Sequence, residues 1–341
     1  MEQSLLKQIL HEYDKKRTLA NIKAEKCKQE LLAVNPRLAE IEDELSKISI
    51  QTAKAILISN ESEKEKLISD LKKKTNALMK EKSAFLKNLS KNSGFLNPQF
   101  ECKMCKDTGY VMRDGKSTMC TCLKQHIYNV AYNKSNMGNL ERENFDTFDL
   151  RYFSDKTNPE LYKSEISPRQ NINLIREKAE NFIHNFDDPN EKNLLFVGNT
   201  GLGKTFLTNC IANELLKQGK TVLYQTAPVM LSEIIDAKFG REHSNIDLLE
   251  NILNVDLLII DDLGTETVNN YKIEELFTII NTRLLNQNHH ITKTIISTNL
   301  TAEEIFKTYT SRIGSRLAGS YRFLRFFGED LRMKKSKKNQ D

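Results

Sequence analysis

Residues 194–205, LLFVGNTGLGKT, limit the fold of this chain more than any other stretch of its sequence. An apolar run ends at Gly198, and after four further residues Gly203, Lys204 and Thr205 open a helix-like sequence. This spacing is typical of a phosphate-binding loop, whose glycines let consecutive backbone N–H groups point at one phosphate. The stretch therefore predicts a buried strand, a phosphate loop and a helix of an α/β nucleotide-binding domain.

The loop also predicts what it binds. Lys204 is expected to reach the β and γ phosphates of a nucleotide, Thr205 to bind Mg²⁺, and the helix to present its positive N-terminal end to the phosphates. The candidate nucleotide-binding residues are Gly198, Asn199, Thr200, Gly201, Leu202, Gly203, Lys204 and Thr205.

A second signature lies at residues 256–264, DLLIIDDLG. An apolar strand that ends in two acids suits the strand that faces a phosphate loop in magnesium–nucleotide chemistry. Asp261 would hold Mg²⁺ through its water shell, and Asp262 would orient or deprotonate the attacking water. Many core strands end in a solvated acid, so this prediction depends on the phosphate loop upstream.

A third apolar strand is predicted at residues 294–300, TIISTNL. Its polar end carries Ser297, Thr298 and Asn299, and the amide of Asn299 is a candidate to contact the γ phosphate or its water. An ordinary turn after the strand is the alternative, because Asn is common in turns.

Two arginines follow at residues 311–317, SRIGSRL. Arg312 and Arg316 are four residues apart and share one face of a helix. An arginine presented to the nucleotide of a neighbouring subunit stabilises charge in the transition state of phosphoryl transfer. The alternative is a pair of solvated surface arginines.

Four of the six cysteines form two close pairs between residues 102 and 122. Such pairs, joined by a short hairpin, bring four thiolates around a structural zinc ion. Because the second pair is one residue shorter than the commonest spacing, the sequence leaves open whether His126 replaces one cysteine. The candidate zinc ligands are Cys102, Cys105, Cys120 and Cys122.

The first 90 residues contain one proline and no glycine, a composition that predicts helices. Apolar residues recur at alternating spacings of four and three, as in a coiled coil. Asn35 and Pro36 predict the end of one helix and the start of the next, and Asn60 with Glu63 predicts a further start. The region is interpreted as a hairpin or an intermolecular coiled coil, serving either as a partner-binding arm or as an oligomerisation stalk. The first repeat comprises Cys27, Leu31, Val34, Leu38, Ile41, Leu45 and Ile48.

These signals predict five segments in order. They are a helical coiled-coil region (1–92), a zinc module (95–132), a linker with scattered aromatic residues (133–166), the nucleotide-binding domain (167–331) and a basic disordered tail (332–341). The net charge of +5 permits nucleic-acid binding without requiring it. The N-terminus does not resemble a signal peptide and no run is long enough to span a membrane, so a cytoplasmic protein without membrane partners is expected.

Several motifs, in this order, resemble the DnaC/DnaI family of bacterial replicative helicase loaders, which are AAA+ ATPases. The similarity covers residues 167–328, and the cysteine module with its helical neighbour resembles the N-terminal half of the DnaI branch. The motifs are SPRQNINLIREKAENFI, NLLFVGNTGLGKTFLTNCIANEL, TVLYQTAPVML, LLIIDDLGTE, IISTNL and SRIGSRL.

The resemblance implies a helical N-terminal region that holds a DnaB-type hexameric helicase, and an ATPase domain that assembles with other copies and engages single-stranded DNA. It makes the phosphate loop Walker A, Asp261 and Asp262 Walker B, Asn299 sensor 1 and Arg316 the arginine finger, with Arg312 as its companion. Asp262 stands where many AAA+ ATPases carry Glu, which suggests slow, assembly-dependent hydrolysis of ATP.

The resemblance leaves two points open. The candidates for the sensor 2 arginine are Arg325 and Arg332. The rival functions are an IstB-type ATPase that assists a transposase and an adaptor that binds ATP as a switch without significant turnover.

Overall fold

The helices and strands follow the apolar patterns of the sequence. The computed structural model describes residues 2–56, 61–89, 97–132, 142–240, 246–286 and 290–332. The predicted helix start at Asn60, residues 133–141 of the predicted linker and residues 333–341 of the predicted tail lie outside the described residues. The chain divides into two compact units, residues 7–118 and residues 119–341 together with 1–6.

Three helices precede the cysteine-rich hairpin. They are α1 (Glu2–Val34), α2 (Pro36–Ile56) and α3 (Glu61–Leu89). The predicted break at Pro36 is confirmed, and Val34 is 79% exposed because the first helix ends there. Helices α2 and α3 pack against each other through a buried apolar seam, so this part of the chain forms a hairpin. The buried seam residues are Leu38, Ile41, Leu71 and Leu78.

Glu42 links these helices through charge. Its carboxylate contacts Lys82 of α3 and lies 3.3 Å from the ammonium of Lys28 of α1. Lys82 chiefly, with Lys28, holds the pKa of Glu42 below its ordinary value. The strands that follow, β1 (Tyr110–Arg113) and β2 (Lys116–Met119), form a two-stranded hairpin.

The second unit contains a parallel sheet of five strands within the described residues. The strands are β3 (Asn193–Val197), β4 (Val222–Thr226), β5 (Leu257–Leu263), β6 (Lys293–Thr298) and β7 (Tyr321–Arg325). In space their order is β4–β5–β6–β3–β7, so the first strand of this sheet lies beside the fourth and the fifth. The prediction of an α/β fold is confirmed.

Helices cover both faces of this sheet. The strands are apolar on both sides, as strands of a covered parallel sheet must be. One core lies between the sheet and α6 (Pro168–His184) and α7 (Lys204–Lys217). The other lies beneath α8 (Ala227–Lys238), α9 (Ile246–Asn254), α10 (Asn270–Asn286), α11 (Ala302–Thr308) and α12 (Ser311–Ser320). Two further helices are α4 (Thr121–Ala131) and α5 (Pro159–Tyr162).

The outer edge of β4 is paired with a side chain. The Gln125 amide of α4 donates to the carbonyl oxygen of Val222 at 3.0 Å and accepts from the amide of Val222 at 2.7 Å. One side-chain amide therefore occupies both hydrogen-bonding groups of an edge residue, which would otherwise be open to another strand.

Within the described residues, no helix combines the length and the apolar character that crossing a bilayer requires.

A buried arginine joins the other end of the sheet to the helices. Arg283 of α10 is 1% exposed, and its guanidinium donates to four carbonyl oxygens and one hydroxyl. Burial lowers the pKa of Arg283 to about 10. The acceptors are Ile252 O, Val255 O, Asp256 O, Lys293 O and Thr294 Oγ1.

We expect Arg283→Met to lower the free energy of unfolding by on the order of 3 kcal/mol, because it removes the guanidinium donor from several buried oxygen atoms. Urea unfolding followed by circular dichroism measures the change. The matched control is Arg151→Met, whose side chain is 89% exposed, and which should stay within about 0.5 kcal/mol of the wild type. Equal midpoints for the two variants would show that the Arg283 hydrogen bonds contribute no net stability.

Candidate nucleotide-binding site

Three predicted signatures meet at the carboxyl edge of the parallel sheet. Strand β3 leads into the phosphate loop, β5 ends in Asp261 and Asp262, and β6 ends just before Asn299. Register places Val197 beside Thr298 and Thr226 beside Asp261. Ligands of open α/β sheets bind outside this edge, where the strand order reverses. The fold therefore brings together residues that lie about 100 positions apart in the sequence.

Lys204 is the centre of the phosphate loop. Its ammonium donates to the carbonyl oxygens of Gly198 at 2.5 Å and Asn199 at 2.8 Å, and to Asn299 Oδ1 at 2.8 Å. The side chain is 6% exposed, and burial lowers the pKa of Lys204 while Asp262 and Asp261 oppose that shift. Walker A and sensor 1 candidates thus contact each other through one hydrogen bond.

The chain after β7 crosses the phosphate loop. Gly201 has φ +73°, and a Cβ atom there would lie 2.0 Å from the carboxylate Oδ1 of Asp330. The amide of Leu331 donates to the carbonyl oxygen of Gly201 at 2.9 Å. The second glycine of the loop therefore leaves room for a segment about 130 positions later in the sequence, besides permitting the turn.

Asp261 is held by groups from several elements. It is 4% exposed, and its carboxylate accepts from the Thr205 hydroxyl at 3.2 Å. The hydroxyls of Tyr224 and Ser297 also donate to it. Burial and Asp261 raise the pKa of Tyr224, so Tyr224 keeps its proton as donor. The hydroxyl of Thr205 and the carboxylate of Asp261 are hard oxygen donors, which fit Mg²⁺.

The sequence did not indicate the role of Tyr224, because a tyrosine inside an apolar run, VLYQT, is typical of any core strand. For Ser297 the sequence predicts only a polar strand end. Both contacts are made across neighbouring strands, and local sequence does not record them.

Asp262 has an unusual backbone. Its φ is +55°, and the pairing of β5 with β6 shifts register between Ile260 and Leu263. Its amide donates to Asp261 Oδ1 at 3.1 Å and to Ser297 Oγ at 3.2 Å. Burial, followed by Asp261, raises the pKa of Asp262, while Lys204 and Arg332 oppose the shift. The irregularity turns this carboxylate toward the pocket, as bulges beside active sites do.

A pocket in front of the phosphate loop is lined by Lys204, Thr205, Asp262 and Asn299. Its other wall comes from the segment predicted to be a linker, which contributes Phe148 and other residues. Phe148 lies 5.7 Å from Phe206 of α7, measured between ring centroids. Aromatic residues in a polar segment were the signal for this wall, although sequence alone did not say what they faced. The lining residues of this segment are Glu143, Thr147, Phe148, Asp149, Tyr152 and Phe153.

The four arginine candidates lie in three environments. Arg332 lines the pocket. Arg325 donates to the carbonyl oxygen of Tyr162 at 2.8 Å. Arg312 and Arg316 are exposed on α12 and do not line the described pocket. The structure therefore brings Arg332 to the site and leaves the α12 pair on the outer surface.

The four predicted zinc ligands lie close together. The sulfur atoms of Cys102, Cys105, Cys120 and Cys122 are all within 4.8 Å of one another. Asp107, at φ +56°, accepts from the amides of Glu101 at 2.9 Å and Cys102 at 2.8 Å, which fixes the turn after the first pair. Four thiols at this separation fit a tetrahedral zinc ion. Among the described residues, His126 is not in this group.

Three of the matches to known proteins differ in how much of the chain they cover. The family model described as IstB-like ATP binding protein matches residues 178–339. The replicative helicase loader DnaC of Escherichia coli (strain K12) is 31% identical over 186 residues, 52% of this chain and 73% of the relative. A crystal structure of DnaI is 23% identical with a TM-score of 0.44, covering 55% of this chain and 93% of that chain.

We expect Ser297→Ala to weaken nucleotide binding about tenfold in the presence of Mg²⁺, because Asp261 loses a donor that orients it. Isothermal titration with a non-hydrolysable ATP analogue, with Mg²⁺ and then with EDTA, measures the effect. Binding in EDTA should match the wild type. Thr278→Ala, which removes a hydroxyl that donates to the carbonyl oxygen of Glu274 within α10, is the control. An equal loss with and without Mg²⁺ would contradict the role of Asp261.

Proposed function

The chain belongs to the DnaC/DnaI family of AAA+ proteins, and on this premise we propose that it uses ATP hydrolysis to load a DnaB-type hexameric helicase onto single-stranded DNA. The observation that carries the proposal is the meeting of Lys204, Asp261, Asp262 and Asn299 at one edge of the sheet. The identity with a DnaC helicase loader supports the helicase as partner. Such a role would place the protein in the cytoplasm.

In the proposed mechanism Lys204 exchanges the carbonyl oxygens that it now contacts for phosphate oxygens of ATP. Thr205 and Asp261 would hold Mg²⁺, which neutralises charge on the triphosphate. Asp262 would orient the attacking water and accept its proton. Asn299 would position the water or the γ phosphate.

Arg316 would act on the nucleotide of a neighbouring copy. Its exposed position on α12 suits an arginine that serves another subunit, since a residue acting on its own pocket would have to line that pocket. The protein would therefore form a homo-oligomer through the ATPase domain, and this assembly would engage single-stranded DNA. Hydrolysis would depend on the assembly.

The N-terminal half would supply the partner contacts. Helices α1, α2 and α3 would bind the helicase as an arm. The four cysteines would hold zinc as a structural ion, with no part in hydrolysis, because four protein ligands leave no open coordination position.

The matching IstB-like family model favours one rival, an ATPase that assists a transposase. The cysteine group argues for the loader, since the IstB-type pattern lacks a zinc segment. A second rival, a nucleotide-gated adaptor with little turnover, would leave steady-state ATP hydrolysis near zero in every assembly.

We expect a stable complex with the replicative helicase of the same cell that forms through residues before 133 and changes with ATP and Mg²⁺. Size-exclusion chromatography with light scattering detects it, and steady-state ATP hydrolysis with single-stranded DNA is measured in parallel.

Arg316→Ala should keep ATP binding and lose hydrolysis in the assembled protein. Lys307→Ala, which removes an exposed positive charge from the neighbouring α11, should retain both ATP binding and hydrolysis. If the protein and the helicase form no complex under any condition, the loader function is excluded.

We expect Cys102→Ser to reduce bound zinc well below one equivalent and to unfold the cysteine hairpin, because structural zinc contributes on the order of 10 kcal/mol of folding free energy. Metal analysis of the purified protein and limited proteolysis measure the two effects. Cys27→Ser, on α1 and outside the cysteine group, should keep full zinc content. An unchanged metal content in Cys102→Ser would refute the assigned ligand.

A further inference from the structure

The carboxylate of Glu266 is buried and lies outside the pocket. It is next to the turn formed by residues 262–265, which carries Asp262 and is called the hydrolytic turn below. Glu266 is 7% exposed, and its Oε2 accepts from the amide of Gly264 at 2.9 Å. Its Oε1 accepts from the hydroxyl of Tyr309. Burial and the neighbouring Glu266 raise the pKa of Tyr309, so the tyrosine keeps its proton and acts as the donor. A buried acid needs such partners, because an unpaired one is costly.

The hydrogen bond between Tyr309 and Glu266 links two parts of the chain. On the Glu266 side, that part is the turn that carries Asp262. The amide of Thr265 donates to the carbonyl oxygen of Asp262 at 3.2 Å, and its hydroxyl donates to the same oxygen at 2.8 Å. Gly264 has φ +99°, and a Cβ atom there would lie 2.6 Å from a methyl carbon of Leu300. The turn after Asp262 is therefore packed directly on the turn that contains Asn299.

The Tyr309 end is fixed to the helix that carries Arg316. Tyr309 is 1% exposed and directly follows α11, where its amide donates to the carbonyl oxygen of Ile305 at 2.9 Å and caps the helix. Helix α12 begins two residues later, at Ser311. The apolar face of that helix is buried through Ile313 and Leu317, whereas Arg316 points to the outside. A shift of Tyr309 would therefore move the start of the helix that presents Arg316.

We propose that Glu266 and Tyr309 are positioning residues. Their hydrogen bond fixes helix α12, which carries Arg316, relative to the hydrolytic turn of the same subunit. Through this link, the state of the turn after Asp262 governs how well Arg316 serves the nucleotide of the neighbouring copy. Tyr309 and Glu266 contact neither the pocket nor the arginine, and they act through the two turns that they join. The proposal rests on the proposed function, since it needs an assembly in which arginines act between subunits.

The first test is Tyr309→Phe, which removes one hydroxyl and keeps the ring. ATP affinity and KM should match the wild type, whereas kcat of the assembled protein should fall about tenfold, within the range for coupling residues that touch no ligand. Tyr321→Phe is the matched control. That tyrosine is also buried, and its hydroxyl is bonded to Thr294 at the opposite end of the sheet. Tyr321→Phe should lose about as much thermal stability as Tyr309→Phe, and its kcat should equal that of the wild type.

Mixed assemblies then show in which subunit the defect lies. Asp262→Asn subunits cannot hydrolyse ATP, but they keep Arg316 and the Glu266–Tyr309 hydrogen bond, which does not involve the Asp262 side chain, so they should restore hydrolysis at the sites of Tyr309→Phe subunits. Arg316→Ala subunits present no arginine and should not restore it. This pattern of rescue supports the proposal, and rescue by Arg316→Ala subunits, by both variants or by neither overturns it.

Failure of this proposal and of the proposed function give different results. Wild-type protein whose hydrolysis does not rise on assembly would refute the proposed function and the coupling with it. Wild-type protein that responds to assembly, together with a Tyr309→Phe variant of unchanged kcat, would refute the coupling alone.

Discussion

The buried carboxylate of Asp261 dictates how the strands around the nucleotide site are arranged. A charge taken out of water is tolerated only when hydrogen-bond donors replace the lost solvent. These donors come from β4, from β6, from the start of α7 and from the next residue of the chain. A slip of one residue in β4 or β6 would turn its donor to the opposite face, and a slip in β5 would turn the carboxylate itself away. One carboxylate therefore ties the register of three strands to the position of the phosphate loop.

The other parts of the site depend on this register. With β3 and β6 in parallel, Asn299 reaches the ammonium of Lys204, and with β7 on the other side of β3 the following segment crosses Gly201. At the amino end of the strands, the guanidinium of Arg283 donates to carbonyl groups of two segments, residues 252–256 and the start of β6 at Lys293. Chemistry is thus concentrated at one end of the sheet and fixation of the helices at the other.

The sequence predicted the parts of this arrangement that local chemistry determines. Glycine spacing located the phosphate loop, apolar runs located β5 and β6, and paired cysteines located the sulfur group, because each signal lies within a few neighbouring residues. Tyr224 and Arg283 were not predictable in the same way. A tyrosine in an apolar strand and an arginine in a helix are ordinary, and only tertiary packing shows that one holds Asp261 and the other is buried. The coiled-coil repeat predicted that Val34 lies in the apolar seam. In the structure Val34 is exposed, because the first helix ends at this residue.

The pairing of Gln125 with Val222 affects how copies of this protein can associate. A parallel sheet with a bare outer strand can grow by accepting a strand from a second molecule, a route that leads to fibres as readily as to ordered rings. Here a single amide imitates that strand and occupies the groups that it would use. Growth through the β4 edge is therefore blocked at this residue, and a contact between copies on this side of the sheet would use side chains instead of backbone pairing.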